Sequence, residues 1–394
     1  MLIATAVTLL GLLAGIAAAQ LRGLRLGGIV VVPLVTVYLL WNFSTFPVFV
    51  LSTIAAYVSV QVTKTRLPLY GRQLFILALV TGSLVPILIF ESLSIGLGVR
   101  GFITEVEFLG SILPGVAAYN FHRLDPEDRV LDAVMSLTTV LLLVTVGFGV
   151  TLLVGLTPLS EAVAPLLLSP ESDVAVALGL TVDRPPLPLL ASSELTVGLF
   201  ALGLGLAEGL RARYGLRIAG VVVVPLVVLI GFRNGWLLPA WVVATALAYG
   251  SIQLLNRLTL LYGRVLMAAS VIFGLLVSIS LVTVVPVRDG LLPFFIGILG
   301  GVAAYNLHVV PPSERRATGF VTIAVLVVVT VVARLFIVPA PRGMLYHVTG
   351  DHLALAGVLV LPGLWELFTL ERIRPGRVRG VDVSPLASDS GEQG

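Results

Sequence analysis

The peptide "PGVAAYNFH" at 114–122 returns as "GGVAAYNLH" at 300–308, identical at seven of nine positions and displaced by 186 residues. It is one piece of a longer register. "GGIVVVPLV" (27–35) answers "AGVVVVPLV" (219–227), and "LYGR" at 69–72 answers "LYGR" at 261–264, both displaced by 192 residues. Asn42, Pro47, Tyr57 and Gln61 match Asn234, Pro239, Tyr249 and Gln253 at that same displacement. The drop from 192 to 186 places a six-residue deletion in the second copy, opposite residues of about 85–105. Chance does not hold one register over this length, so the chain is a tandem duplication.

Composition fixes the solvent in which the duplicated unit folds. Of the 394 residues 58% are hydrophobic and only 11% charged, where a soluble domain has roughly half and a quarter. Mean hydropathy is +1.08. Runs such as Val130–Leu156 and Ser193–Leu210 approach or exceed the roughly 20 apolar residues that cross a bilayer core. The chain therefore reads as an all-α integral membrane protein. Cysteine is absent, which excludes disulfides, thiolate metal sites and cysteine nucleophiles. A net charge of +3 fits cations gathered on the cytoplasmic side. A nucleic-acid partner is not expected, because no basic soluble domain is present to hold one.

Apolar spans are expected near 1–19, 26–41, 46–63, 73–95, 105–121 and 130–156, and again near 193–210, 218–231, 236–254, 265–286, 291–307 and 318–339. A thirteenth, near 352–370, has no counterpart. The fifth span of each set is interrupted by Pro or Gly, the pattern of a broken or re-entrant segment. "AAAQ" at 17–20 resembles a cleavage site, but Arg22 and Arg25 follow the apolar run where a signal peptide needs charge before it. An uncleaved first span with its N-terminus outside is the better reading. In that orientation 18 of the 24 Lys and Arg residues fall in inner loops and the tail, five fall outside, and Arg334 lies within a span near its outer end. The bias obeys the positive-inside rule along the whole chain. Six spans per unit is an even number, so the two repeats should be parallel. The expected division is a first membrane repeat at 1–156, a Pro-rich external linker at 157–192 and a second repeat at 193–340. An extra span at 341–370 and a disordered cytoplasmic tail at 371–394 complete it.

The chemistry these residues can carry is limited. Lys64 is the sole lysine and follows Thr63, so no P-loop for ATP phosphates exists in the sequence. The histidines at 122, 308, 347 and 352 form neither HxxxH nor HExxH, and no metal site or cofactor is expected. Ion-coupled carriers keep acids in mid-membrane. Here Glu91, Glu105, Glu107, Glu194, Glu208, Asp351 and Glu366 are expected near span ends. Arg334 is expected to snorkel to the nearby interface. No catalytic residue is nominated.

The repeated peptides supply the candidate sites. Tyr70-Gly71-Arg72 and Tyr262-Gly263-Arg264 belong at the inner interface. They serve there as membrane anchors, or as cationic docking points for an anionic chain or an acidic partner. Pro114, Gly115 and Asn120, with Gly301 and Asn306 in the second copy, offer close helix approach and an amide that bonds across helices. Lining a path is the second reading of these five. His122 and His308 read as interfacial residues ahead of proton relays.

At these residues the sequence resembles the small membrane subunit of bacterial poly-gamma-glutamate synthesis, the PgsC or CapC family. The resemblance rests on "GGIVVVPLV", "FPVFVLSTIAAYV" (46–58), "LYGRQLFILALVTG" (69–82) and "EFLGSILPGVAAYN" (107–120), and covers most of residues 1–150. Copy two repeats it more loosely over about 193–335. Two departures are visible: family members are typically single units, and copy two has Gly300-Gly301 where the family has Pro-Gly. The resemblance implies a complex in a prokaryotic cell membrane, with the C-terminus cytoplasmic. A cytoplasmic ATP-dependent ligase would join glutamates, often beside another membrane-anchored subunit, and poly-gamma-glutamate would be the product. It further implies a subunit without catalysis of its own, which anchors the ligase and helps the polyanion cross. The fused pair implies that single-unit relatives act as dimers. A free-standing parallel-repeat transporter or channel for a small solute is the competing reading. A membrane-embedded enzyme is a third, which would need clustered acids or histidines within the spans.

Overall fold

A computed structural model describes residues 1–67, 71–97, 111–155, 172–179, 191–284 and 291–373. The described residues of the first copy form α1 (Leu2–Arg22), α2 (Val31–Trp41), α3 (Thr45–Arg66), α4 (Arg72–Leu97), α5 (Leu113–His122) and α6 (Pro126–Gly155). A five-residue helix, α7 (Asp173–Ala177), follows. The second copy forms α8 (Ser193–Tyr214), α9 (Val223–Arg233), α10 (Leu237–Thr259), α11 (Gly263–Val284), α12 (Leu292–Val309) and α13 (Arg315–Phe336), and α14 (Gly350–Ile373) ends the described chain. Strands are absent among the described residues, and nine helices there are long and apolar enough to cross a membrane. The chain is a multi-pass, all-α membrane protein.

Local chemistry sets the helix ends. Gly23 and Gly215, at equivalent positions after α1 and α8, take left-handed φ values of 68° and 74° and stop their helices. Ser192 caps α8 by accepting the Leu195 N–H. Gly71 and Gly263, with φ of 57° and 63°, turn the chain into α4 and α11 just ahead of Arg72 and Arg264.

The second span of each repeat differs from expectation. The apolar runs at 26–41 and 218–231 read as full spans, yet α2 and α9 have 11 residues each, about 16 Å of helix against a hydrocarbon core of about 30 Å. The missing length is irregular backbone ahead of each helix. Arg25–Gly27 bond to Asp132 of α6, whereas Leu40 lies against Gly147 and Phe43 stacks on Phe148 with ring centroids 6.2 Å apart. Asp132 and Gly147 are separated by fifteen helical residues, about 22 Å. The segment thus runs along most of α6 as a series of turns followed by a short helix. Pro33 and Pro225 stand in the first turns of α2 and α9, where a missing N–H costs no ladder bond.

The fifth spans differ as well. In copy two α12 runs unbroken through Gly300-Gly301, so this span is continuous rather than re-entrant. In copy one α5 starts at Leu113, and residues 98–110, which hold Glu105 and Glu107, lie outside the described residues. The linker at 157–192 is only partly described. Its α7 packs on copy one through buried Val174, and Asp173 accepts the Phe43 N–H at 2.7 Å.

Each copy divides into two trios, α1–α2–α6 with α3–α4–α5, and α8–α9–α13 with α10–α11–α12. The copies meet reciprocally: α1 packs on α11, and α8 packs on α4. Since α1 aligns with α8 and α4 with α11, this exchange is what a two-fold relation between like units produces. One buried cluster joins Ile3, Val7 and Leu12 of copy one to Val271, Leu275 and Phe294 of copy two.

Within each trio the tightest approach is glycine on backbone. A Cβ on Gly115 would lie 2.2 Å from the Ala78 carbonyl oxygen, and one on Gly301 would lie 2.6 Å from that of Ser270. Position 270 is the 192-residue counterpart of 78, so both copies use the same contact. Backbone on both sides leaves nothing that can move aside. Gly115→Ala and Gly301→Ala are each expected to cost about 1–3 kcal/mol. Gly149→Ala and Gly250→Ala, whose added methyls meet open space, are expected to be neutral or slightly stabilising. Thermal unfolding in detergent micelles checks the contrast.

Candidate functional site

The site is built where irregular backbone passes through the bundle. Leu26, Gly27 and Gly28 have φ values of 49°, 61° and 128°, so consecutive N–H groups turn to one side. The Asp132 carboxylate occupies that concavity, accepting from the N–H of Arg25 at 2.6 Å, Leu26 at 2.7 Å and Gly27 at 3.0 Å. Asp132 is fully buried. The opposite side of this irregular segment is held by Asn120, whose side-chain amide donates to the Gly27 carbonyl at 3.2 Å and to the Val116 carbonyl at 2.9 Å. Buried within the protein, such backbone persists only if protein groups meet its hydrogen bonds.

Copy two solves the same problem with different groups. Asn306 donates to the Ala219 carbonyl at 3.2 Å, the duplicate of the Asn120 bond. Thr322 accepts the Ala219 N–H at 3.0 Å, while Thr318 stands in the place of Asp132. The Thr318 hydroxyl is buried and makes no hydrogen bond. Copy two thus keeps the amide and lacks the carboxylate.

The arginine-rich ends of the copies lie together. In copy one His122 stacks on Tyr57 with centroids 4.6 Å apart, and the Tyr57 hydroxyl accepts from Arg129 at 2.9 Å. Arg315, the counterpart of Arg129, donates to the His308 carbonyl at 2.9 Å. At the start of α4, Arg72 bonds Glu208 of α8 at 2.5 Å. Farther along α8, Arg213 pairs with Glu371 at 2.8 Å, and Arg316 of α13 pairs with Glu366 at 3.0 Å. These bonds gather the start of α4, the end of α8, the start of α13 and the end of α14 at one face, which is what like-facing repeats produce.

The sequence candidates are distributed as follows. Arg72 is committed to the other copy through Glu208, and Gly71 and Gly263 are helix-starting turns. Tyr70 lies outside the described residues. Tyr262 is 85% exposed, as a headgroup-level tyrosine would be. Arg264 has no ion pair among the described residues and stands within Coulombic reach of Arg25, Arg123 and Asp132. Pro114, Gly115 and Gly301 are buried at helix–helix contacts, and Asn120 and Asn306 brace the irregular backbone. Arg334 donates to the Leu345 and Ile337 carbonyls at 3.0 and 3.4 Å, tying down the turn after α13 where snorkelling was expected. A cleft of about 50 Å³ between α4 and α8 is lined by apolar side chains such as Leu79, Leu84, Phe200 and Leu204, with Ser83 as a polar exception. Its walls suit lipid or a packing side chain rather than a polyanion.

Sequence reasoning missed Asp132. Its signal was an acid three residues into the apolar run that begins at Val130, and such an acid is a site candidate by default.

The family description "Capsule biosynthesis CapC" matches residues 10–130 and again residues 202–316. The chain belongs to this capsule biosynthesis family, as a fusion of two of its units. The two matches start 192 residues apart (202 minus 10) and end 186 apart (316 minus 130), which reproduces the two displacements of the repeat. No curated protein and no solved structure matches the chain.

Asp132→Ala strands two buried N–H groups and one half-buried one, each buried group worth about 1–3 kcal/mol when unmet, so a loss of about 3 kcal/mol or more is expected. Thr322→Val strands one and should cost about a third as much. Equal losses in thermal unfolding would contradict the assignment.

Proposed function

We propose that this chain is a non-catalytic membrane subunit of a poly-gamma-glutamate synthase. It seats an ATP-dependent amide ligase on its arginine-rich end and helps the acidic product across the membrane. The observation that carries this reading is the capsule biosynthesis match in both halves of a multi-pass chain. Three physical points support it. The sequence lacks a P-loop, so ATP chemistry falls to a partner. The arginine bias orients the described arginine-rich end toward the cytoplasm, where that partner would sit. A polymer with about one negative charge per residue is drawn to such a face.

In this reading the working units are 1–156 and 193–340, joined by 157–192 on the outer side. The span at 341–370 and the tail at 371–394 are additions that a second membrane-anchored subunit can use. Two halves in one chain replace the two copies that a single-unit relative would bring together.

A tagged chain drawn from its native membranes is expected to bring an ATP-dependent ligase with it, and its deletion is expected to abolish exported polymer. A ligase that stays wholly soluble, together with small-solute movement by the purified chain alone in liposomes, would favour the transporter reading.

A further inference from the structure

The duplication creates two seams, α8 against α4 and α1 against α11, and they have diverged. At the first seam Arg72 is neutralised by Glu208, which also lies 4.0 Å from Arg211. The copy-one counterparts of Glu208 and Arg211, 192 residues earlier, are Ile16 and Ala19. The second seam has therefore lost the acid that would pair with Arg264, the counterpart of Arg72. Where α1 packs on α11, three guanidinium groups from separate elements stand within Coulombic reach of one another: Arg25 on the irregular segment, Arg123 after α5 and Arg264 at the start of α11. Arg123 lies over the Tyr119 ring at 5.8 Å, and its copy-two counterpart is Val309. The acid beside Arg25 and Arg264 is Asp132, whose two oxygens are already taken by three backbone N–H groups. One nitrogen of Arg25, Nη1, is buried with no hydrogen-bond partner. Three cations converge, their carboxylate is spent, and a buried donor stands unmet, which is the arrangement an oxyanion completes.

We propose that Arg25, Arg123 and Arg264 form a single carboxylate-binding site at the α1–α11 seam, which holds the side chains of the acidic polymer, and that the Arg72–Glu208 seam is closed to it. The inference rests on the polymer-synthase reading and narrows it, since the fused chain engages the polymer through one composite site to which both copies contribute. Duplication freed the other seam to become a lock between the copies.

The test uses the full chain in nanodiscs of zwitterionic lipid and a fluorescent gamma-linked glutamate decamer as probe. Wild-type binding is expected to weaken with salt. Arg264→Gln and Arg123→Gln are each expected to weaken it about tenfold, the effect of losing one charge-assisted bond. Arg72→Gln is expected to change it less than twofold. Ile16→Glu, which supplies the missing acid, should match Arg264→Gln, and an unchanged elution profile shows that each variant is folded. Equal losses from Arg72→Gln and Arg264→Gln would overturn the single-site proposal, and so would no loss from either. If the wild-type chain brings down a ligase but binds no decamer, the site falls and the synthase reading stands. If native mass spectrometry finds an anionic lipid held by the wild type, lost in Arg264→Gln and not displaced by decamer, the occupant is lipid and the proposal fails.

Discussion

Hydrogen bonding of backbone buried away from helical ladders is the constraint on which the structure depends. The segment before α2 leaves the helical ladder, and its exposed N–H and C=O groups need partners from within the protein. In copy one an aspartate receives three of them and an asparagine amide donates to a carbonyl; in copy two a threonine and an asparagine do similar work. Because those groups are met, a run of turns can stay buried ahead of an 11-residue helix that is too short to cross by itself. Six passes in each unit is the count expected from the apolar runs. With that even count, two tandem copies would face the same way, and the observed packing of α1 on α11 and α8 on α4 suits it.

The two copies also show how a duplicated unit drifts while its architecture holds. The glycine contacts of Gly115 and Gly301, and the amides of Asn120 and Asn306, are kept because each meets backbone, which does not vary with sequence. Side-chain solutions have moved. Asp132 has become Thr318, Ile16 faces the place that Glu208 fills in copy two, and Arg123 has become Val309. Charge at the arginine-rich ends therefore differs between the seams, one holding the Arg72–Glu208 pair and the other holding Arg264 with no ion pair among the described residues.

Much of this was legible in the chain. Register, copy number and membrane class follow from repeated peptides and composition, which need no tertiary information. "LYGR" marked two helix starts because glycine at positive φ must precede the arginine. The broken second spans were hidden, since "GGIVVVPLV" is as apolar as a helix and its irregularity depends on Asp132, more than a hundred residues away. The Arg72–Glu208 bond was hidden for a related reason, as it joins helices of different copies and no periodicity encodes that contact. The small helix α7 was masked by its Pro-rich surroundings, although Ser172 followed by Asp173 is a helix-start signal.

The like-facing arrangement is open to one direct measurement, because the chain contains no cysteine. Asp125 and Pro311 are exposed, aligned at the 186-residue displacement, and lie at the arginine-rich ends of their copies. Single cysteines at these positions would be challenged with a membrane-impermeant maleimide in inside-out and right-side-out vesicles. Both positions should react in the same vesicle preparation and be protected in the other. Reaction of one position in each preparation would show that the copies face opposite ways, and would contradict the six-pass unit.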